Sequence, residues 1–418
     1  MTRTLHDWLR WQETLHGRAI DLGLNRVRCV AARLGLPSAR PLTVTIGGTN
    51  GKGSSAHLAA LIYREAGHRV GLYTSPHLLH YNERVRIDGV DVDDQSLCRA
   101  FEAIERVRAD TPLTYFEYGT LAALWLFAAA EVDVQVLEVG LGGRLDAVNL
   151  VDADAALVTN IGLDHTDWLG PDRDSIGREK AGIFRAGRPA IIADPDPPAG
   201  LLDAAAATGA VLRRIGVDFG CTANAQGFDW WTAQRRLGGL PAPGLRGPAQ
   251  LRNAAGVIAL VDALQQRCRV DEAAIRRALP RLYLPGRCES RGRYLLDVAH
   301  NREAAEVLAD HLRAQGAAAP RVLVLGMLAD KPHAAFVDAL AGCFDALILV
   351  ELPPPRGMSA KALAAAIGPR HVALQCCENM AAALAAARAR AGDGRIVVTG
   401  SFLTVAAAAA LIDSEDPR

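Results

Sequence analysis

A glycine-rich segment between a predicted strand and a predicted helix constrains this chain more than any other feature. The strand is PLTVTIGG, which begins at Pro41, and the predicted helix runs from Lys52 to Gly67. The segment that ends the strand and opens the helix, residues 47–55, has the sequence GGTNGKGSS. Glycines let successive backbone N–H groups face an anion, the helix N-terminus adds a positive dipole, and Lys52 adds a full charge. The segment therefore predicts a phosphate-binding loop.

The predicted loop departs from the usual P-loop pattern, in which Ser or Thr directly follows the lysine. Here Gly53 intervenes, so that Ser54 or Ser55 offers the hydroxyl group to phosphate or Mg²⁺. A glycine-rich turn that binds no ligand is the alternative interpretation of these residues.

Short apolar strands alternate with helices on both sides of this loop. Such alternation predicts a parallel sheet with helices on both faces. The region from Phe228 to Pro248 breaks the alternation, and we expect it to be an excursion near the edge of the first domain. The sequence LPGR at 284–287 has the character of a linker, and the alternation restarts after it. We therefore predict an α/β chain, with a P-loop-type parallel-sheet domain in residues 1–284 and a smaller Rossmann-like domain in residues 285–418.

Charge and composition exclude several classes of protein. The chain has 46 Lys and Arg against 46 Asp and Glu, which argues against general nucleic-acid binding and against an anionic-membrane anchor. No apolar run is long enough for a transmembrane helix, and the N-terminal residues lack the apolar core of a signal peptide. The eight cysteines include no CxxC pair, so we expect reduced, packing cysteines in a cytoplasmic protein.

Polar side chains stand at the ends of three further predicted strands. Ser75 follows VGLYT, Glu138 ends an otherwise apolar strand, and His165 follows the strand that ends at Ile161. Carboxyl ends of parallel strands open onto one crevice, where ligands bind. A buried charge such as Glu138 needs a partner, so the sequence predicts a cation at this edge.

Each of these residues also has a purely structural interpretation. Ser75 would cap a turn, His165 would hydrogen-bond within its loop, and Glu138 would pair with Arg144. Lys180, on a short predicted helix among apolar neighbours, would extend its ammonium group to the surface.

Seven motifs in this chain, taken together, resemble one known family. They are GGTNGKGSS, YTSPHL, LTYFEYGT, LEVGLGGRLDA, LDHTDWLG, GREKAGIF and DVAHN. In this order they resemble the folylpolyglutamate synthase branch of the Mur ligase superfamily, and in particular its bacterial bifunctional dihydrofolate synthase/folylpolyglutamate synthases. The resemblance extends from Asp21 to about Phe402. It implies that residues 1–284 form a Mur-ligase-like ATPase domain that binds ATP and pterin, and that residues 285–418 form a Rossmann-like glutamate ligase domain.

The activity that this resemblance implies is ATP-dependent amide ligation. ATP would phosphorylate the carboxylate of dihydropteroate or of a folate's glutamate tail, and the amine of L-glutamate would displace the phosphate of this acyl phosphate. The implied cofactors are ATP and Mg²⁺, with two ions when Lys180 is carbamylated. The implied partners are these small-molecule substrates, with no nucleic acid or membrane, and the implied state is a monomer.

The resemblance also implies site residues, position by position. The loop residues implied to hold ATP phosphates are Asn50, Gly51, Lys52, Gly53 and Ser54, and further nucleotide contacts are implied at Asn253, Arg287 and Asp297. The Mg²⁺ ligands implied are Ser75, Glu138 and His165, and the catalytic residues are Lys52, Lys180 and His300. The pterin contacts implied are Asp21, Leu22, Gly23, Thr114, Tyr115, Phe116, Glu117, Leu145, Asp146 and Ala147.

The chain departs from the family pattern at one position, and its residues are compatible with several alternative functions. The family usually has proline after DVAHN, whereas this chain has Arg302, and we expect only the start of the following helix to shift. The residues also allow another Mur-type ligase, such as one that builds a peptidoglycan precursor, or a ligase with folylpolyglutamate synthase activity only. A nucleotide switch that binds partners is the alternative from another class. Asp21 itself would, in the structural interpretation, cap a turn before Gly23.

Overall fold

The structure is a computed structural model that describes residues 3–18, 20–36, 40–245, 247–316, 320–354, 356–369 and 372–415. The chain forms two compact units, which divide between Leu282 and Tyr283, except that residues 245–247 group with the second unit. The expected boundary at 284/285 lies close to this division.

The first unit is built on an eight-stranded sheet. Its strands are β1 (Leu42–Gly47), β2 (Val70–Tyr73), β3 (Val85–Ile87), β4 (Val90–Asp91), β5 (Val134–Glu138), β6 (Ala155–Val158), β7 (Pro189–Ile192) and β8 (Val211–Arg214). They are ordered β4-β3-β2-β5-β1-β6-β7-β8. All neighbours pair in parallel except β2 with β3 and β3 with β4. Because β1, β5 and β6 are buried on both faces, they are almost entirely apolar or β-branched.

Helices pack around this sheet and against one another. They are α1 (Leu5–Leu15), α2 (Asn25–Leu34), α3 (Lys52–Glu65), α4 (Asp94–Arg108), α5 (Tyr115–Ala129), α6 (Thr166–Leu169), α7 (Arg173–Ala181), α8 (Ala199–Thr208), α9 (Pro248–Ala263) and α10 (Glu272–Arg281), with short 3-10 helices at Tyr81–Arg84 and Ala147–Leu150. Helix α3 packs against β5, α9 and α10, whereas α5 packs against α4 and β2. Helix α5 is apolar around most of its circumference because it is buried in the core of the unit.

The expected excursion, from Phe228 to Pro248, lies largely in a separate antiparallel sheet, which begins earlier than expected, at Phe219. Strands β9 (Phe219–Asn224), β10 (Gly227–Thr232) and β11 (Arg236–Pro241) form it in the order β11-β10-β9. Trp230 is fully buried, and its indole N–H donates to the carbonyl of Ala255 on α9 at 3.1 Å. The strands pair as hairpins because their connections are short, and this produces the break in the βα alternation.

The second unit has a six-stranded sheet with the order β12-β13-β17-β14-β15-β16. Its elements are β12 (Glu289–Arg291), β13 (Tyr294–Leu296), α11 (Arg302–Ala314), β14 (Arg321–Leu325), α12 (His333–Ala339), β15 (Ala346–Val350), α13 (Ala360–Ile367), β16 (Ala373–Cys377), α14 (Met380–Ala391), β17 (Arg395–Thr399) and α15 (Phe402–Glu415). Only β12 and β13 pair antiparallel. The prediction of two α/β parts with parallel sheets, the second smaller and Rossmann-like, is confirmed. No helix in the described ranges is long and apolar enough to cross a membrane.

Candidate active site

The loop between β1 and α3 has a backbone that only glycine accommodates at two positions. Gly48 and Gly51 have φ angles of +138° and +79°. A Cβ atom on Gly48 would overlap the hydroxyl oxygen of Thr159, and one on Gly51 would lie 2.6 Å from Nδ2 of Asn253. Gly51 caps α3, so the predicted nucleotide contact Asn253, which lies on α9, is packed against the start of that helix.

Two residues after β6 hold this loop, and sequence reasoning missed them. The backbone N–H of Asn50 donates to Oδ1 of Asn160 at 2.8 Å, and that of Thr49 donates to the Asn160 carbonyl at 2.9 Å. The Thr159 hydroxyl donates to the Asn50 carbonyl at 2.6 Å. Their position directly after an apolar strand was the available signal, because β6 pairs with β1 and its carboxyl end therefore lies beside the loop.

Two lysine ammonium groups converge on one loop carbonyl. The Nζ atoms of Lys52 and Lys180 donate to the Gly48 carbonyl at 3.1 Å and 2.9 Å. Lys180 is only 4% exposed, which contradicts its interpretation as a surface lysine. Burial, and then the charge of Lys52, lowers the pKa of Lys180 to about 7, whereas the carboxylates of Asp164 and Asp146 act in the opposite direction. A substantial fraction of Lys180 is therefore the neutral amine at neutral pH, next to the predicted phosphate loop.

The predicted metal ligand Glu138 lies beside the same loop. It ends β5, is 4% exposed, and its Oε2 accepts the backbone N–H of Ser75 at 3.0 Å. A Cβ atom on Gly53 would lie 3.5 Å from Glu138 Oε1, so the carboxylate reaches the first turn of α3. Arg144 pairs instead with Glu179, at 2.8 Å. A buried carboxylate at this place is the type of oxygen ligand that Mg²⁺ takes.

His165, the third predicted metal ligand, is the N-cap residue directly before α6 and has a left-handed backbone conformation. Its backbone N–H donates to Oδ1 of Asp164 at 2.9 Å, and its side chain is 31% exposed. Since β2, β5 and β6 lie close together in the sheet, the residues that follow them reach one edge. Within the described ranges, no group of three or more His, Cys, Asp or Glu residues is arranged to hold a metal ion, and the predicted trio contains only two residues of these types.

The predicted pterin segments after α1 and before α5 are joined by an arginine. Nη1 of Arg26 lies 2.7 Å from Oδ2 of Asp21, and its Nη2 donates to Oε1 of Glu117 at 3.2 Å. His16 Nε2 lies 3.2 Å from the same Asp21 oxygen. Thr114 caps α5, and its backbone N–H donates to Glu117 Oε2 at 2.8 Å. Asp21 therefore belongs to an ion-pair network rather than a simple turn cap, and Leu22 and Gly23 follow it as half-buried residues.

The aromatic residues of the second segment pack under the loop that follows β5. The Phe116 ring occupies the space beside Gly140, where a Cβ atom would lie 2.6 Å from it. The Tyr115 ring lies 5.6 Å from that of Tyr81, edge to face, with the guanidinium of Arg84 over both rings. These contacts place the start of α5 against the segment that follows Ser75.

The third predicted pterin segment, residues 145–147, is organised by Asp146. Its carboxylate accepts the backbone N–H groups of Leu141 at 2.8 Å and Val148 at 3.0 Å. Burial raises the pKa of Asp146 to about 7 against these hydrogen bonds. Leu145 is half-buried and Ala147 is buried. Asp146 thus shapes its own loop, and both of its oxygens are already engaged by backbone groups.

The predicted residues of the second unit form a cluster of their own. The Arg287 guanidinium lies 5.7 Å from the ring centroid of Phe402, and the His300 ring lies 6.3 Å from it. Nδ1 of His300 is 2.9 Å from the Val298 carbonyl. Asp297 accepts the backbone N–H groups of Cys288 and Ala299, each at 2.8 Å. The cluster lies at the carboxyl end of β13.

The residue that departs from the family pattern, Arg302, lies at the start of a helix. Helix α11 begins at Arg302, and the side chain of Asn301 caps it by accepting the Ala304 N–H at 2.9 Å. The helix therefore starts directly after DVAHN without a proline.

Comparison with known proteins places both units in one family. Residues 46–228 match the Mur ligase middle domain, and residues 286–402 match the Mur ligase glutamate ligase domain. The chain is 44% identical over 413 residues to the dihydrofolate synthase/folylpolyglutamate synthase of Escherichia coli K12, covering 98% of this chain and 96% of that protein. This chain belongs to the dihydrofolate synthase/folylpolyglutamate synthase family.

Solved structures of the family have the same fold. E. coli FolC in complex with DHPP and ADP superimposes with a TM-score of 0.93 at 44% identity, over 99% of this chain and 98% of that one. A bifunctional folylpolyglutamate synthase/dihydrofolate synthase with Mn, AMPPNP and L-glutamate bound gives a TM-score of 0.90 at 43% identity, over 98% of each chain. The likeness therefore extends over both units of this family member.

Proposed function

We propose that this protein is an ATP-dependent ligase that joins L-glutamate to dihydropteroate, forming dihydrofolate, and to folate glutamate tails, forming folylpolyglutamates. The observation that carries the proposal is the convergence of Lys52 and Lys180 on the Gly48 carbonyl, in a loop where close neighbours leave no room for a side chain at Gly48 and Gly51. The names and ligands of the relatives support the choice of substrates.

The loop residues have distinct parts in this reaction. Asn50 to Ser54 bind the phosphates, and the ammonium group of Lys52 stabilises the negative charge that develops as the terminal phosphoryl group moves to the substrate carboxylate. The glutamate amine then attacks the acyl phosphate, so that an amide bond forms and phosphate leaves. On the second unit, we assign Arg287 and Asp297 to nucleotide binding and His300 to the catalytic set.

The divalent cation would be held by Ser75, Glu138 and His165. Glu138 supports this assignment because it is a buried carboxylate next to the first turn of α3. A bound Mg²⁺ would supply Lewis-acid stabilisation of the transferring phosphoryl group. We further propose that the neutral amine of Lys180 adds CO₂ and loses a proton to become a carbamate, whose carboxylate is then a ligand for a second Mg²⁺. The lowered pKa of Lys180 and its burial support this modification.

The pterin substrate would lie between the segments that Arg26 joins, in contact with Asp21 to Gly23 and Thr114 to Glu117. Residues 145–147 complete the proposed set. The Asp21 oxygen Oδ1 makes no hydrogen bond within the described ranges, so it is available to accept from the pterin amino and ring N–H groups.

The decisive experiment measures ADP and phosphate release with dihydropteroate or a reduced folate, each with and without L-glutamate. The proposal predicts glutamate-dependent release with both substrates. Glutamate-dependent release with a reduced folate but not with dihydropteroate would indicate folylpolyglutamate synthase activity only. Release with neither of these two substrates would indicate a different Mur-type substrate. ATP hydrolysis that does not depend on L-glutamate would favour a nucleotide switch.

A further inference from the structure

Arg26 connects two segments that lie far apart in the chain. It stands on α2, five residues after Asp21, and 91 positions before Glu117 on α5. Besides the two carboxylate contacts described above, its Nη2 donates to the backbone carbonyl of Asp21 at 2.7 Å. The guanidinium therefore fixes both the side chain and the backbone of Asp21 relative to the start of α5.

The charges of this cluster explain why an arginine is required. Asp21 and Glu117 are two carboxylates that share one guanidinium, and Glu117 is only 3% exposed. His16 carries a charge only when it is protonated, so Arg26 is the permanent cation of the cluster. Without this cation the two carboxylates would repel each other, and Asp21, which is the more exposed, would turn towards solvent.

The directional nature of guanidinium binding adds to this requirement. One planar group makes three contacts with fixed relative directions, namely to Asp21 Oδ2, to the Asp21 carbonyl and to Glu117 Oε1. A lysine ammonium at the same place would keep the positive charge but would lack the planar, fixed arrangement of N–H donors.

We propose that Arg26 is a positioning residue for the pterin pocket, which acts through Asp21 by holding its carboxylate in the orientation that accepts the pterin N–H groups. This inference rests on the proposed function. Arg26 does not contact the reacting carboxylate or the phosphates in this role. Its effect is therefore confined to binding of the pterin end of the substrate.

The test compares Arg26→Gln and Arg26→Lys with a matched control, Arg277→Gln. Arg277 makes the same kind of contact outside the site, since it bonds the carboxylate of Glu65 at 3.0 Å and the Glu65 carbonyl at 2.7 Å. Steady-state kinetics would give the KM for dihydropteroate, ATP and L-glutamate, and calorimetry would give direct dihydropteroate binding.

We expect Arg26→Gln to raise the KM for dihydropteroate by about 10-fold or more, the scale for losing a charged hydrogen bond. The KM values for ATP and glutamate and the kcat should stay within about twofold of wild type, and Arg26→Lys should restore part of the loss. In the Asp21→Asn background, Arg26→Gln should add little, because both changes remove the same positioning. Arg277→Gln should behave as wild type throughout.

Several results would overturn the inference. An unchanged KM for dihydropteroate in Arg26→Gln would do so. A similar rise in the KM values for dihydropteroate, ATP and L-glutamate would also do so, since it indicates general instability. Full additivity with Asp21→Asn would show that Arg26 acts independently of Asp21. If Arg26→Gln does not fold, Arg26→Lys decides the matter by the same KM comparison. A wild-type protein that neither binds nor turns over dihydropteroate would instead refute the proposed function.

Discussion

Replacing Lys180 by methionine is expected to stabilise the ligand-free protein at neutral pH while removing activity. Lys180 is 4% exposed, and its pKa of about 7 replaces the ordinary value of 10.5. This difference corresponds to about 4–5 kcal/mol of destabilisation in the fully protonated range, at about 1.4 kcal/mol per pH unit. Loss of the hydrogen bond to Gly48 offsets about 1 kcal/mol of the gain. We therefore expect Lys180→Met to be more stable by about 3 kcal/mol at pH 7.

The pH dependence of this gain has a definite sign. Unfolded lysine keeps its proton up to about pH 10.5, whereas folded Lys180 releases it near pH 7, so the unfolded state binds more protons between these values. The free energy of unfolding of the wild-type protein therefore rises between about pH 7 and pH 10.5 because of this group. Methionine does not titrate, so it adds no pH dependence. The advantage of Lys180→Met should fall by about 3 kcal/mol between pH 7 and pH 9.5, and it should change little below pH 7.

Urea unfolding followed by tryptophan fluorescence is a suitable assay, because all six tryptophans precede residue 232 and report the first unit. The buffers should exclude CO₂, metal and nucleotide, since carbamylation would replace the ammonium by a carboxylate. Arg178→Met is the control, because Arg178 is exposed on the same helix and its replacement should give a pH-independent change. A Lys180→Met advantage that is absent at pH 7, or that does not vary with pH, would refute the reasoning.

Three further predictions concern activity. Lys52→Ala should lower kcat by at least ~100-fold, the scale for one preorganised charge stabiliser, and near-normal turnover in steady-state kinetics would remove the loop from the mechanism. Glu138→Ala and His165→Ala should each raise the Mg²⁺ concentration needed for half-maximal rate, and Mg²⁺ titrations that match wild type in both would contradict the metal assignment. Asp21→Ala should lower kcat/KM for dihydropteroate by roughly 10- to 150-fold. A folate is longer than dihydropteroate by one glutamate, so with its reactive carboxylate at the ATP phosphates its pterin would lie away from Asp21, and kcat/KM for a reduced folate should fall much less. Equal losses for the two substrates would show that both place the pterin at Asp21.

Most of the helices and strands could be predicted from local sequence patterns. The β-branched strand before Gly47, the glycines at positions 48 and 51 and the helix from Lys52 depend on neighbours within a few residues, so they were visible without the tertiary structure. The sheet order was not visible, because pairing of β1 with β5 and β6 joins segments about a hundred residues apart. The antiparallel sheet of β9 to β11 was recognised only as a break in the alternation.

For the candidate site, the sequence by itself determined which residue types stand at the carboxyl ends of the strands, because strand and loop follow from local apolar and glycine patterns. Only the tertiary structure decided that Lys180 is buried beside Lys52 and that Arg26 binds both Asp21 and Glu117. Thr159 and Asn160 acquired their role in the same way, through the pairing of β6 with β1. The physical reason is that burial, charge pairing and the resulting pKa depend on groups brought together from distant parts of the chain.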